Sequence, residues 1–370
     1  MITPLFIATA LYAIVVFVLT IGAYRACYSP RREPRVARNY EPTVSVVVAA
    51  RNEERHIAQA LESILKSDYP QEKLEVIIID DRSTDATPKI IKNFAARFPN
   101  LHPVTIERED GKLRGKVNAL AHGIPKAQGE IIMLTDADCT VSRSWIRETV
   151  KYFTSDVGIV AGLTLLNDRS WFAGMQALDW LYLLSVAAST INLRVPLTVI
   201  GNNLSFRKAS YDATGGFENI PFSVTEDQAL FKAIIHQTTW DYRFPLDGGC
   251  VVNSEPCTTW SELYRQKHRW GIGGLDIKPA GFFLMSVGFT LHALLLASPF
   301  YAPALFPVIL ALFVKFAADL VLLTPALRTY KKFKLLKYFL PFELYYIVYV
   351  VALPFALLFG GKVVWKGRRY

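Results

Sequence analysis

The chain has 370 residues, of which 52% are hydrophobic and 20% charged, and its formal net charge is +9. The positive excess lies in the segments 24–38, 328–337 and 362–369, which hold 14 of the 41 basic residues. The rest of the chain is slightly acidic, which argues against a general nucleic-acid-binding surface. Each basic segment adjoins an apolar run, as lysine and arginine do at the ends of membrane spans. The four cysteines have no metal-binding spacing, so we expect free thiols facing a reducing compartment.

The first predicted element is a membrane span at 3–24. This segment contains no charged side chain, and its length is enough to cross the apolar core of a bilayer, about 30 Å thick. No positive residue precedes it, unlike a secretory signal. The arginines that follow predict an amino terminus outside the cell and a cytoplasmic domain after the span. We therefore expect an integral protein of the cell (inner) membrane.

Residues 40–275 are predicted to form a domain in which strands alternate with helices. This alternation indicates an α/β fold with a mostly parallel, Rossmann-like sheet. Strands are predicted at 43–50, 74–79, 104–107 and from 131 onwards. The helices between them are predicted to end near residues 65, 98 and 127.

Acidic residues follow three of the predicted strands, at Glu53, at Asp80 and Asp81, and at Asp136 and Asp138. Ligands of open α/β sheets bind at the carboxyl ends of the strands. Asp136 and Asp138 are two apart and face the same way along an extended chain. Their hard oxygen ligands suit Mg²⁺ or Mn²⁺ held against a diphosphate, although two aspartates can also simply begin a turn.

Two further loops carry polar residues of interest. Lys116 ends a loop rich in glycine and lysine at 111–116, where it can meet a phosphate as a point charge. On its own such a lysine is more often simply solvated. Asn202 and Asn203 lie in a predicted turn that enters a strand.

The segment 170–193 is nearly apolar, with Asp179 its single charge, and is long enough to span a membrane. A crossing there would put the later polar motifs on the opposite side from the earlier ones. We therefore predict a helix in the membrane interface, with Trp171, Trp180 and Tyr182 at headgroup depth. A buried core helix is the alternative. A second interfacial helix is predicted at 257–275.

Two polar motifs flank predicted helices later in the domain. Glu226 and Asp227 begin an apolar helix, either as a favourable first turn or as a catalytic carboxylate. Gln266 and Arg269 share a helix face, and Trp270 follows. An arginine fork suits diphosphate oxygens, and tryptophan suits stacking on a sugar. The alternative is a basic helix at the membrane surface.

A carboxy-terminal membrane region is predicted at 280–361, followed by a basic tail at 362–370. Its candidate spans lie at about 281–298, 303–325 and 344–361. Lys315 and Asp319 are four apart in the second span and predict an ion pair, either structural or functional. Four crossings would place the tail outside, against the positive-inside trend, unless one segment is re-entrant.

Six motifs, in this order, resemble those of inverting family-two glycosyltransferases with the GT-A fold, in the membrane-integrated branch. That branch includes cellulose, hyaluronan and chitin-type synthases and ceramide-type glucosyltransferases. Each motif alone is weak, but the ordered set is highly specific. The motifs are Val46–Glu54, Asp80–Asp85, Gly115–Leu120, Asp136–Asp138, Thr225–Asp227 and Gln266-x-x-Arg269-Trp270.

The resemblance implies a donor site for a nucleotide sugar, with a divalent metal, Mg²⁺ or Mn²⁺, at the diphosphate. One departure is Arg51, at a position that is often tyrosine. The implied nucleobase and ribose residues are Glu53, Asp80 and Asp81. The implied diphosphate and metal residues are Lys116, Asp138 and, assisting, Asp136.

The resemblance also implies a catalytic and acceptor side. Asp227, with Glu226 beside it, would be the general base. Gln266, Arg269 and Trp270 would form a clamp over the donor diphosphate and the acceptor. Asn202 and Asn203 lie where the family builds its acceptor pocket.

Four spans are few for a polymer export channel. We therefore expect transfer of one sugar, most often from a UDP-sugar in this branch, to a lipid hydroxyl at the cytoplasmic membrane face. Polysaccharide synthesis is the runner-up. A membrane scaffold with a decayed transferase domain is a rival of another class, but decay should erase the acidic residues first, and Asp81, Asp138 and Asp227 are all present. A transporter is a weaker alternative, because most polar motifs lie in the predicted soluble domain.

Overall fold

The computed structural model describes residues 3–32, 40–109, 111–273, 278–301, 305–359, 364–365 and 368–369. The chain forms two compact units. We call residues 29–165 and 198–255 the sheet unit, and residues 1–28, 166–197 and 256–370 the helical unit.

The strands and helices are numbered in chain order. The strands are β1 (Val44–Ala50), β2 (Leu74–Asp80), β3 (Leu101–Thr105), β4 (Ile131–Asp136), β5 (Thr140–Val141), β6 (Val157–Ala161), β7 (Thr164–Leu166), β8 (Leu204–Arg207), β9 (Asp241–Arg243), β10 (Val252–Ser254), β11 (Val364–Trp365) and β12 (Arg368–Arg369). The helices are α1 (Thr3–Arg32), α2 (Ile57–Leu65), α3 (Thr87–Ala95), α4 (Gly115–Gly123), α5 (Trp145–Val150), α6 (Trp171–Asn192), α7 (Lys208–Ala213), α8 (Glu226–Gln237), α9 (Trp260–Gly273), α10 (Pro279–Tyr301), α11 (Leu305–Thr329) and α12 (Phe339–Phe359).

The sheet unit is built on a seven-stranded sheet in the order β3-β2-β1-β4-β8-β6-β9. β3, β2, β1 and β4 run parallel, β8 is antiparallel to both β4 and β6, and β9 is parallel to β6. The prediction of an α/β fold with a mostly parallel sheet is therefore confirmed. A smaller three-stranded sheet has the order β5-β10-β7.

The central strands are buried on both faces, which is why their sequences read as continuous apolar runs. All of β1 except Ala49 is buried, and the apolar face that the spacing predicts for helix α2 belongs to the same core cluster. The predicted strand at 104–107 instead runs from Leu101 to Thr105. Pro103 obscures it in the sequence, and proline is tolerated there because β3 is at the edge of the sheet.

Four helices among the described residues are long and apolar enough to cross a membrane. They confirm the prediction of one apolar helix near the amino terminus and about three in the carboxy-terminal region. The candidate spans are Thr3–Tyr28, Pro279–Tyr301, Leu305–Thr329 and Phe333–Phe359. The predicted side of the basic tail rests on residues 362–370, most of which lie outside the described residues.

Helix α6 is an interior element of the helical unit. It is apolar around its whole circumference, as buried helices are, and most of its residues are buried. Trp171 is exposed, but Trp180 and Tyr182 are not. Trp180 and Tyr182 therefore pack within the helical unit, and the headgroup depth expected for the three aromatic residues stays a prediction. The interfacial placement of the helix as a whole stays a prediction.

A charged cluster lies inside the helical unit. The Lys315 ammonium pairs with Asp319 at 2.7 Å and with Glu343. The hydroxyls of Tyr12 and Tyr182 donate to Asp319 Oδ1 at 2.6 and 3.0 Å. All five side chains are buried. The predicted ion pair within α11 is confirmed, and it joins α11 to α1, α6 and α12.

Candidate active site

Three parallel strands bring the first predicted binding residues to one edge of the large sheet. β2 ends at Asp80, which pairs with Ala50 of β1, and β4 ends at Asp136, which pairs with Ala49 of β1. Glu53 follows β1 by three residues and is buried, as are Asp80 and Asp81. The acidic positions that the sequence singles out after separate strands therefore share one edge.

The loops that follow β1 and β2 hold each other in place. Arg51 Nη1 donates to the carbonyl of Asp81 at 2.7 Å. Asn52 has a left-handed backbone, with φ 54°, which asparagine tolerates better than most residues. Its side-chain oxygen accepts a hydrogen bond from the Thr84 N–H at 2.8 Å. Arg51, the departure from the tyrosine of the resembled motif, thus braces the loop that carries Asp81.

Lys116 lies at the centre of the polar edge. It is in the first turn of α4, which Gly115 enters with φ 57°. Lys116 Nζ is 2.6 Å from Asp136 Oδ1 and 2.8 Å from Glu226 Oε1. Burial works to lower the pKa of Lys116, but the charges of Asp136 and Glu226 outweigh it, so the pKa is raised above its usual range. Lys116 is therefore a fixed cation rather than a proton donor at neutral pH.

Asp136, Asp138 and Cys139 form a cluster that could hold a metal ion, because one ligand atom from each lies within 4.8 Å of the others. Two carboxylates as oxygen donors fit Mg²⁺ or Mn²⁺. Burial and the neighbouring carboxylates raise the pKa of the Cys139 thiol well above its usual value. Because these hard cations prefer oxygen to sulfur, Asp136 and Asp138 are the residues that would hold the ion. The predicted metal residues fit the expected group.

Glu226 and Asp227 are adjacent but contact different neighbours. Glu226 faces Lys116, as described above. Asp227, in the first turn of α8, accepts a hydrogen bond from the Gln228 N–H at 2.8 Å. A Cβ atom added to Gly201 would lie 2.9 Å from Asp227 Cβ and 3.1 Å from its Oδ2. The carboxylate of Asp227 therefore lies against the turn that contains the two predicted acceptor asparagines.

Both asparagines of that turn are buried and bonded inside the sheet unit. Asn202 Oδ1 accepts from the Thr164 hydroxyl at 2.7 Å. Asn203 donates to the carbonyls of Leu163 and Cys250, both at 2.9 Å, and accepts from Trp145 at 3.0 Å. These bonds use both N–H donors of the Asn203 amide and one of the two lone pairs on its oxygen. The turn is thereby fixed in position, and direct contact of these amides with an acceptor stays a prediction.

The remaining predicted residues, Gln266, Arg269 and Trp270, lie on α9 in the helical unit. The rings of Trp270 and Trp180 are 5.0 Å apart between centroids. Lys267, which lies between Gln266 and Arg269, is buried and pairs with Asp179. Sequence reasoning gave no role to Lys267.

The sheet unit thus brings together the strand-end acids, Lys116, the two metal-site aspartates, Glu226 and Asp227. Cys139 and Arg51 also lie at this edge, and their contacts with the site residues were not predicted from the sequence. Cys139 follows Asp138 directly, so its place in the chain was a usable signal. Nothing in the local sequence shows that Arg51 bonds to the second loop, because its partner, the Asp81 carbonyl, lies 30 residues away along the chain.

A family model described as glycosyl transferase family 21 matches residues 5–370. A β-monoglucosyldiacylglycerol synthase of Nostoc sp. is 32% identical over 257 residues, covering 66% of this chain and 52% of that protein. A poly-β-1,6-N-acetyl-D-glucosamine synthase of Staphylococcus epidermidis is 26% identical, covering 63% of this chain and 55% of that protein. The chain therefore spans about half the length of these curated relatives.

Among solved structures, the fold is similar to a mannosyltransferase from Pyrobaculum calidifontis, solved in complex with GDP-Man and Mn²⁺. The TM-score is 0.59 and the identity 23%, with 95% of this chain and 99% of that chain covered. At this identity the likeness shows the fold, which agrees with the GT-A fold expected from the motifs. The family 21 match over nearly the whole chain confirms the resemblance to glycosyltransferases that the ordered motifs indicate.

Proposed function

Because the chain belongs to glycosyl transferase family 21, we propose that this glycosyltransferase moves a single sugar from a nucleotide sugar to a lipid hydroxyl group, with inversion at the anomeric carbon. The observation that carries the proposal is the contact of Lys116 with both Asp136 and Glu226. It joins three of the six motifs at the carboxyl edge of a parallel sheet. A cation and carboxylates at such an edge suit a diphosphate and a divalent metal.

Donor binding is assigned to the strand-end residues. Glu53, Asp80 and Asp81 would receive the nucleobase and ribose, whose hydroxyl and amide groups donate to carboxylates. Lys116 would meet the diphosphate as a positive charge. UDP is the donor nucleotide we favour, from the resemblance to this branch.

Asp138 and Asp136 would hold Mg²⁺ or Mn²⁺, which neutralises charge that develops on the leaving diphosphate. The chain's own residues provide the rest. Lys116 keeps its positive charge at neutral pH, because Asp136 and Glu226 raise its pKa. It therefore adds fixed electrostatic stabilisation at the diphosphate.

The acceptor hydroxyl needs a base, because its pKa lies far above 7. Asp227 is the candidate: it begins α8 and is held against Gly201. It would take the hydroxyl proton while the bond from the sugar to the diphosphate breaks on the opposite face. For the helical unit we propose that Arg269 neutralises the diphosphate, with Gln266 and Trp270 in the clamp.

The lipid acceptor is supported by the name of the Nostoc relative and by the four apolar helices. The arginines after the first span favour a catalytic domain on the cytoplasmic face of the inner membrane. Polysaccharide synthesis remains the second candidate, since the Staphylococcus relative is named as a polymer synthase.

The test is to incubate the purified full chain, with Mn²⁺ or Mg²⁺, with labelled UDP-glucose, UDP-N-acetylglucosamine and GDP-mannose and with membrane lipid extract. We expect one labelled glycolipid of defined mass. A high-molecular-weight product would establish the polymer synthase instead. No transfer from any donor, by protein that is folded, would contradict both.

A further inference from the structure

Two charged residues of the helical unit have no part in the function proposed so far. Asp179 is the only charge in the segment 170–193, and Lys267 lies inside the clamp motif. They form an ion pair between α6 and α9, and their residues are only 3% and 5% exposed. This burial excludes Lys267 as an ordinary surface lysine.

Stability alone does not account for such a pair. Removing two charges from water costs several kcal/mol per ion, and apolar residues of similar size often stabilise as well or better. In some proteins a buried polar or charged group instead specifies one arrangement of the helices around it. Asp179 also raises the pKa of Lys267, outweighing the lowering effect of burial, so the lysine stays charged.

The pair is part of a specific arrangement around Trp270. Lys267 Nζ lies 5.0 Å from the centroid of the Trp270 ring and 4.9 Å from that of Tyr349 on α12. These are cation–π distances. Trp270 also contacts Trp180, the neighbour of Asp179. Two consecutive residues of α6 therefore hold two residues of α9 that are one helical turn apart.

A second anchor holds the chain just before α9. Gln176 donates to the carbonyl of Cys257 at 3.0 Å and accepts from its N–H at 2.9 Å. Gln176 and Asp179 are three apart and share one face of α6. The rings of Phe172 and Trp260 add a contact with 4.7 Å between centroids. Helix α9 is thus attached to α6 before its start and again near its end.

We propose that Asp179 and Lys267 are positioning residues that fix the rotation of α9 about its own axis. Successive residues of a helix are about 100° apart, so holding Lys267 against α6 sets the directions of Gln266 and Arg269. The ion pair thereby orients the clamp without touching substrate. This inference rests on the proposed role of the clamp, and its test includes a readout that does not depend on that role.

The variants are Asp179→Asn, Lys267→Met and the apolar double variant Asp179→Leu/Lys267→Met. The control is Asp212→Asn, which removes a carboxylate from the exposed pair that Asp212 forms with Lys208. We expect each single variant to lower kcat/KM for the active donor about tenfold or more. We expect the double variant to recover the melting temperature but not kcat/KM. Apolar packing can restore the stability that the ion pair gave, but it does not fix the rotation of α9. A double variant with wild-type kcat/KM would refute the proposal.

The second readout is the labelling of a cysteine placed at position 266 (Gln266→Cys) by a water-soluble maleimide, resolved from Cys27 and Cys257 by mass spectrometry. We expect its rate to change at least about threefold when the ion pair is replaced by the apolar double variant. The control variant should leave the rate unchanged. An unchanged rate in the double variant overturns the inference even if sugar transfer is normal. If no donor is turned over by the wild type, the proposed function fails, and the labelling rate still decides this inference.

Discussion

Two lysines in this molecule have the same local arrangement and different surroundings. Lys116 in the sheet unit lies between Asp136 and Glu226, and Lys315 in the helical unit lies between Asp319 and Glu343. The Lys116 side chain is 19% exposed and that of Lys315 is fully enclosed. A lysine between two carboxylates can therefore either bind a ligand or link helices. Which of the two it does depends on whether solvent and ligands can reach the lysine.

The neighbours support this difference. The carboxylates around Lys116 belong to motifs at the carboxyl edge of a sheet, where ligands bind. Of the two around Lys315, Asp319 accepts further hydrogen bonds from the hydroxyls of Tyr12 and Tyr182, which lie on two other helices. We therefore expect substitutions at the first lysine to affect turnover and substitutions at the second to affect stability.

The largest expected effect is that of Asp227→Asn on turnover. Loss of a general base costs about 10²- to 10⁴-fold, and we expect kcat to fall by that factor while donor binding, measured by calorimetry, is retained. The melting temperature should stay close to wild type. Normal turnover would remove Asp227 from the mechanism and would weaken the case for a chemical site in the sheet unit.

Lys116→Met should lower kcat/KM about 10²- to 10³-fold, as does loss of one group that stabilises developing charge. The comparison is with Lys116→Arg, which keeps the charge and should retain more activity. Because the raised pKa keeps Lys116 charged at neutral pH, its titration should leave no mark on the neutral part of the pH–rate profile. A melting temperature reduced as strongly as by substitution of Lys315 would break the contrast between the two lysines.

Asp138→Ala should abolish the part of donor binding that depends on Mn²⁺. Calorimetry with UDP, with and without Mn²⁺, measures this directly, and Asp212→Asn is a matched control on an exposed aspartate. If the variant and the wild type bind UDP with the same Mn²⁺-dependent affinity, Asp138 is not a metal ligand.

Lys315→Met should destabilise the chain by about 3–5 kcal/mol, because it leaves two buried carboxylates without their cation. Thermal unfolding in detergent measures the loss. The activity of the fraction that stays folded should be near wild type. A large loss of kcat with an unchanged melting temperature would give this cluster a functional role after all.

The smallest effect is expected for the exposed pair of Lys208 and Asp212, which are 3.1 Å apart. Asp212→Asn should change stability by no more than about 0.5 kcal/mol, since exposed ion pairs contribute little. Both the melting temperature and kcat should stay at wild-type values. A clear loss in either would mean that exposure is not what separates the lysine sites.

Much of the sheet edge was predictable, because its signals are local. Apolar runs predict buried strands, and acids just after them predict where the carboxyl ends lie. The pairing of Lys315 with Asp319 was predictable for the same reason, since residues four apart share a helix face. The contact of Lys116 with Glu226 was not predictable, because the two residues lie 110 positions apart in the chain and only the tertiary fold brings them together.

The sequence also could not show where charges end up inside the fold. Glu343 joins Lys315 from a different helix, and Asp179 meets Lys267 across 88 residues. The apolar composition of 170–193 was consistent with an interfacial helix as well as with an interior one. Composition alone does not show whether lipid or other helices cover the helix surface. The interior arrangement of Trp180 and Tyr182 follows from helix packing alone.

Gly201 is a position at which we expect activity to be lost without a change in any functional group. Its backbone is not left-handed, so another residue would be tolerated there on conformational grounds. The restriction is one of volume, since a single added carbon would meet Asp227 at 2.9 Å. Even alanine would displace the proposed base, whereas alanine at a typical surface position is harmless. A saturation screen for transfer should therefore accept only glycine at 201, and inactive relatives of this chain can be sought by reading that one position.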